Sequence, residues 1–283
     1  MEIRKIAVFG AGTMGHGIAQ VSAMAGYQVT LFDIAQGPLD TALQKVKANL
    51  QKGIDKGKIS SEQLQMTLQN IKLTTSLEEA CMDADLTIEA IPEKLNLKKN
   101  LLQQIDSFTG GRTIIATNTS SISIETISEF VADPTRVIGA HFFNPVHIMK
   151  LLEIVYHPNT SAEVITAIQD YGQKIGKETI LVKNTPGFAT SRLGVALGME
   201  AIRMLEEGVA SAADIDKAMV LGYKHPIGPL KLTDLVGIDV RMHIGEYLCE
   251  KLNNTAFSPP KLMREKVAQG KLGKKTKEGF YKW

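Results

Sequence analysis

Cysteine, aromatic residues and net charge are all scarce in this chain, and each scarcity removes a class of function. The two cysteines, Cys81 and Cys249, stand far apart in 283 residues and match no metal-ligand or redox spacing. That leaves them as reduced, buried, small apolar residues. Lysine and arginine (32) outnumber aspartate and glutamate (30) by only two. So small a surplus argues against a general nucleic-acid or membrane-surface binder. No apolar run is long enough to span a bilayer. Strand-like sequence begins by Lys5, where a secretory leader would place its charged and apolar regions, so a cytoplasmic protein is expected. What remains is ordinary, 44% apolar and 22% charged, and long enough to bury roughly three quarters of its unfolded surface without staples.

The first half alternates strand and helix signals. Lys5–Gly10, Gln28–Asp33, Asp85–Ile91, Thr113–Thr117, Arg136–Phe142, Met149–Val155 and Glu178–Val182 read as strands, many of them separated by helical stretches. Apolar β-runs spaced by helices imply an α/β fold with a doubly wound, mostly parallel, Rossmann-type sheet. After Asn184 the texture changes to helix after helix. Leu197, Ala201, Met204 and Leu205 fall on one face of the first of these. The expected organisation is a nucleotide-binding domain over 1–184 and an all-helical domain over 185–283.

Gly10, Gly12 and Gly15 form G-x-G-x-x-G at the end of the first strand and the start of a helix, with Thr13 and Met14 in the same turn. One glycine permits the tight turn, the next admits a pyrophosphate, and the third lets helix and strand pack closely. The helix N-terminus adds N–H groups and a positive dipole end. Asp33 ends the second strand, eighteen positions after Gly15, where a carboxylate binds adenosine ribose hydroxyls and repels a 2′-phosphate. No arginine follows in Ile34-Ala35-Gln36, so NAD is favoured over NADP. His16 is read as the start of the helix, without a chemical role.

Ligands of open α/β sheets bind beyond the carboxyl ends of the strands. Three polar clusters fall there: Glu93; Asn118, Ser120 and Ser121; and His141 with Asn144 in HFFNP. Oxidising a secondary alcohol needs a proton acceptor as hydride departs, and histidine suits that task. Of six histidines, only His141 sits at a predicted strand end among polar partners. Glu153 interrupts the apolar run Leu151–Val155. It either pairs with that imidazole or points to solvent from an edge strand. Ser120 is either a donor to a substrate oxygen or the cap of a helix near Ile122. No zinc ligand set is present, and the single Tyr-x-x-x-Lys pair, Tyr247 and Lys251, falls in the helical half. Leu39–Lys58 reads as a helix whose second strip carries Lys45, Asn49, Lys52 and Lys56. That strip is either a solvated face or a set of point charges for the phosphates of coenzyme A.

The segments GAGTMGHGIAQ, EAIPEKLNLKK, ATNTSSISI, GAHFFNPVHIMKLLEIV, NTPGF, HPIGPLKLTDLVGID and KTKEGFYKW occur in this order. Together they resemble the L-3-hydroxyacyl-CoA dehydrogenase family, in particular its short bacterial 3-hydroxybutyryl-CoA dehydrogenases, over essentially the whole chain. The resemblance implies that His141 is the catalytic base and Glu153 its partner. Ser120 and Asn144 would bind the reacting end of the substrate and the nicotinamide side, and Glu93, Lys98 and Lys275 would join Asp33 at the cofactor. Lys52 and Lys56 would contact coenzyme A, and the helical domain would form a homodimer. One position departs from the pattern: Ser191 stands before Arg192, where the family commonly carries an asparagine facing substrate.

Three activities fit this set. The leading one is NAD-dependent interconversion of a short-chain L-3-hydroxyacyl-CoA and its ketone. The others are oxidation of a free hydroxy acid or sugar acid, and NAD binding without turnover. Ser120, His141, Asn144 and Glu153 together disfavour the last, since a sensor needs no proton acceptor.

Overall fold

Short apolar β-runs that cannot cover their own faces build the first half of the chain around one sheet. The computed structural model describes all residues, Met1–Trp283, and the chain divides into two units, Met1–Asn184 and Thr185–Trp283. In the first unit the strands are β1 (Lys5–Phe9), β2 (Gln28–Phe32), β3 (Ile71–Thr74), β4 (Leu86–Glu89), β5 (Ile114–Thr117), β6 (Val137–Phe142), β7 (Leu151–Tyr156) and β8 (Glu178–Lys183). Its helices are α1 (Gly15–Met24), α2 (Gln36–Asp55), α3 (Ser61–Gln69), α4 (Leu77–Cys81), α5 (Leu95–Thr109), α6 (Ile124–Ser128) and α7 (Ala162–Lys174). The sheet order is β3-β2-β1-β4-β5-β6-β7-β8, parallel except between β6 and β7. The expected doubly wound sheet is therefore present.

The central strands β4, β5 and β6 are buried along their whole length, as parallel strands covered on both faces must be. Strand β3 escaped the sequence reading. It is four residues long at the sheet edge, with exposed Lys72 inside it, so it lacks the apolar run that marked the others. The antiparallel step has a simple cause. A parallel return needs a crossover of about a dozen residues or more, and the connection from Phe142 to Leu151 is shorter than that. Helix α2 begins three residues before the expected Leu39 and ends at Asp55, so Lys56 is its C-terminal cap rather than part of its strip.

The second unit holds α8 (Thr190–Glu206), α9 (Ala212–Lys217), α10 (Pro229–Val236), α11 (Ile238–Leu252) and α12 (Lys261–Ala268). Its core gathers Val195, Met199, Ile202, Leu230, Ile238, Leu248, Phe257 and Met263. On α8 the buried face centres on Val195, Gly198, Met199 and Ile202. Of the expected set only Ala201 is fully buried, while Leu197, Met204 and Leu205 are half-buried. The buried face also admits a polar group. Arg241 donates to the Gly194 carbonyl (2.9 Å) and to the Thr233 hydroxyl (3.1 Å), and a Cβ on Gly198 would overlap its guanidinium. Burial pulls the Arg241 pKa down to about 10. The chain end is held by Asp234, which accepts from the Phe280 and Tyr281 amides and from the Trp283 indole, each at 2.9 Å. No helix is long and apolar enough to cross a membrane.

Candidate active site

The glycine turn follows β1 directly. Gly10 adopts φ +99°, which only glycine tolerates readily, and a Cβ on Gly15 would overlap the Gly10 carbonyl oxygen. Gly12 differs, because a Cβ there would meet nothing within 4 Å. The turn itself does not need that glycine, so the open space beside Gly12 is where a cofactor backbone can approach. Thr13 is exposed and Met14 half-buried in the same turn. Asp33 lies half-buried at the end of β2, with Oδ2 accepting from the Ala11 amide at 2.8 Å. One carboxylate oxygen thus fixes the side chain beside the turn. An exposed glycine cleft, the start of a helix and a positioned carboxylate fit a dinucleotide.

His141 and Glu153 are direct partners in the antiparallel register of β6 and β7. Side chains opposite one another in such a pair point to the same face, with Cβ atoms about 5 Å apart. Here the His141 Nδ1–H donates to Glu153 Oε2 at 2.8 Å. Glu153 is 0% exposed and His141 8%, and β8 covers the outer side of β7. The alternative of a solvent-facing glutamate on an edge strand does not hold. Because a carboxylate accepts, the proton of this bond sits on Nδ1 and the basic position is Nε2. The Phe143 ring packs on the imidazole, centroids 4.5 Å apart.

The loop after β5 is organised by an acid from the neighbouring loop. Glu93 Oε1 accepts from the Thr119 hydroxyl (2.5 Å), the Ser120 and Ser121 amides (3.1 and 3.2 Å) and the Ser121 hydroxyl (3.0 Å). This leaves Ser120 exposed at the loop crest. It is not a helix cap, a role that falls to Ser123, which caps α6. Behind Glu93 lies Lys98, whose ammonium contacts Glu93 Oε2 at 3.1 Å and both oxygens of Glu89 at 2.7 Å. Burial pushes the Glu93 carboxyl up. The Lys98 charge and the hydrogen bonds from Thr119, Lys98 and Ser121 outweigh it and hold the group below its ordinary value. Lys98 is 0% exposed and stands behind the loop. It reaches Glu93 and Glu89, not the surface.

Asn118 Oδ1 accepts from the Phe142 amide at 2.8 Å, tying the end of β5 to that of β6 next to His141. Asn144 is exposed just beyond. Lys52 and Lys56 are exposed at the end of α2, whereas Asn49 of the same strip turns to Gln20 (3.1 Å) on α1. In the second unit Ser191 is half-buried in the first turn of α8, and Lys275 pairs with Asp239 at 2.6 Å. Sequence reasoning missed Glu89, Thr119 and Asp239. Glu89 had a signal, since EAIPEKLNLK places a second carboxylate four residues before Glu93.

Residues 5–185 match the model of the 3-hydroxyacyl-CoA dehydrogenase NAD-binding domain, and residues 187–283 that of the 3-hydroxyacyl-CoA dehydrogenase C-terminal domain. The chain belongs to the 3-hydroxyacyl-CoA dehydrogenase family. It is an NAD-dependent dehydrogenase. A 3-hydroxybutyryl-CoA dehydrogenase of Clostridioides difficile is 40% identical, with 98% of each chain covered. A hydroxyacyl-coenzyme A dehydrogenase from human mitochondria is 39% identical over 99% of this chain and 91% of its own. The crystal structure of an (S)-3-hydroxybutyryl-CoA dehydrogenase from Ralstonia eutropha superposes with a TM-score of 0.97 at 40% identity, covering 100% of this chain and 99% of that one.

Proposed function

We propose that this member of the family interconverts a short-chain L-3-hydroxyacyl-CoA and its 3-ketoacyl-CoA, with His141 as the general acid and base. The supporting observation is the buried His141–Glu153 pair at the carboxyl end of β6. Bound NAD supplies the acceptor for the hydride that leaves the alcohol carbon. His141 Nε2 takes the hydroxyl proton in oxidation and returns it in reduction. Glu153 holds the ring tautomer and stabilises the imidazolium that forms. Ser120, presented by the Glu93-organised loop, donates to the substrate oxygen. Asn144 serves the nicotinamide side, and Asp33 the adenosine ribose.

Lys52 and Lys56 meet phosphates of coenzyme A as point charges. Ser191 and Lys275 contribute to the substrate and cofactor ends by the family resemblance. A homodimer through the helical unit completes the reading. In support, that unit exposes Leu193, Leu221 and Tyr223 at 71, 72 and 75%, apolar surface of the kind a second copy covers. A cytoplasmic location agrees with two free cysteines.

The deciding experiment is NADH-dependent reduction of acetoacetyl-CoA, set against free acetoacetate, by the wild type and by His141→Gln. The wild type should prefer the thioester. The variant should lose about 10³-fold or more in kcat while still binding NADH. Full turnover by the variant would remove His141 from the mechanism, and preference for the free acid would remove the thioester.

A further inference from the structure

Ser120 stands on a loop that two distant residues grip from opposite ends. Glu93 gathers its crest. The other end runs into α6, a helix of only five residues, too short to hold a position by itself. The N–H groups of its first turn need partners. Ser123 Oγ accepts from the Thr126 amide at 3.4 Å, as a cap does. The Ile124 amide goes instead to a residue sixty positions away, Asn184, whose Oδ1 accepts from it at 3.0 Å. Asn184 Nδ2 donates to Ser123 Oγ at 2.9 Å, so one side chain holds both residues. The grip is itself anchored. The Asn184 amide donates to the Tyr156 carbonyl at 2.7 Å, at the end of β7, the strand that carries Glu153. On its inner side α6 presses on β6. A Cβ on Gly139, two residues before His141, would lie 2.9 Å from Ile124 Cδ1. Water can satisfy a helix start; what the asparagine adds is a fixed relation between α6 and β7.

We propose that Asn184, the first residue of NTPGF, is a positioning residue that sets the Ser120 hydroxyl against the substrate oxygen. The proposal rests on the reading of Ser120 as a donor to that oxygen and deepens it. Glu93 fixes the loop from the β4 side and Asn184 from the β7 side, and the strand of His141 lies between β5 and β7. Asn184 acts through the loop and not on the substrate. With its grip released, the Ser120 hydroxyl samples positions about 1 Å away, and a displacement of that size costs up to about 10²-fold in rate. Affinity, carried by contacts elsewhere, stays. An aspartate at 184 keeps the grip, since its carboxylate accepts from the Ile124 amide and the Ser123 hydroxyl donates to it in place of receiving. An alanine keeps neither bond.

The test is a double-mutant cycle on the reduction of acetoacetyl-CoA by NADH. Asn184→Ala should lower kcat about 10-fold, with the KM of each substrate changed less than about 2-fold. Asn184→Asp should bring kcat back to within about 2-fold of the wild type. Ser120→Ala should lower kcat about 10²-fold. Adding Asn184→Ala to it should cost less than about 2-fold more, because the group to be positioned is gone. Ser123→Ala cuts the same link from the helix side and replaces Asn184→Ala in the cycle if that variant does not fold. An undiminished loss from Asn184→Ala in the Ser120→Ala background overturns the proposal alone. So does Asn184→Ala with the kcat of the wild type, or an aspartate no better than the alanine. Ser120→Ala with the kcat of the wild type overturns the role of Ser120, and the proposal with it.

Discussion

Gly12 and Gly15 lie three residues apart and do different work. A Cβ on Gly15 collides with the Gly10 carbonyl, whereas one on Gly12 enters open space. Gly15→Ala should therefore destabilise the protein, by about 2 kcal/mol or more, as overpacking and backbone strain do. Gly12→Ala should melt like the wild type and yet bind NADH at least about 10-fold more weakly, since the Cβ occupies the approach to the pyrophosphate. Thermal melts alongside NADH fluorescence titrations separate the two, and a Gly12→Ala protein with unchanged NADH affinity would place the cofactor elsewhere. Glu153→Gln keeps a hydrogen-bond acceptor for Nδ1 but removes the charge opposite the imidazolium. Its kcat should fall about 10²-fold or more with the KM of NADH little changed. These glycines and Asp33 were legible in the sequence because a tight turn and a ribose contact impose local requirements. The His141–Glu153 pair was legible only as one of two alternatives. Choosing between them required the strand register and the cover of β8, both of which are set by distant residues.

At the level of the element, the loop after β5 owes its shape to β4 and the chain that follows it. Lys98, fully buried, bridges Glu89 and Glu93, and Glu93 gathers the loop that carries Ser120. Lys98→Met leaves Glu89 buried at 1% exposure without its cation and should cost about 3–5 kcal/mol, measurable by denaturant unfolding. The depressed Glu93 pKa has a definite sign. Its contribution is fully present above the ordinary 4.5 and is lost as pH falls through the lower folded value. The stability difference between wild type and Glu93→Gln should thus stay level down to about pH 4.5 and shrink below it. A difference that is already shrinking near neutrality would exclude the assignment. Elements carried by clear apolar runs, β1, β2 and the strands from β4 onward, could be read from the chain. Strand β3 could not, because its pairing with β2 and not its own pattern makes it a strand. On α8, hydrophobic spacing caught Ala201 but not Gly194 and Gly198, which carry no apolar side chain and lie against Arg241.

On the scale of the whole molecule, each unit has its own core, and the second is closed by its own chain end. Asp234 is buried and receives three donors from the last four residues. Asp234→Ala leaves those donors without an acceptor and should lower the stability of the helical unit by about 2–4 kcal/mol. Calorimetry should then show an early transition absent from the wild type; a single unshifted transition would show the chain end to be dispensable. The change of composition after Asn184 made the two-part organisation visible in advance. The clamp was not visible, because an aspartate inside an ordinary helix carries no mark of what it will hold. The step from β6 to β7 has a consequence for how the enzyme can vary. Histidine and glutamate face each other only because a fixed count of residues turns the chain between them, and side chains alternate faces along each strand. Adding or deleting one residue between Phe142 and Leu151 either is absorbed within the turn or slips the ladder by one place and carries the glutamate to the far side of the sheet. Only those length changes that the turn absorbs leave the histidine and the glutamate facing each other.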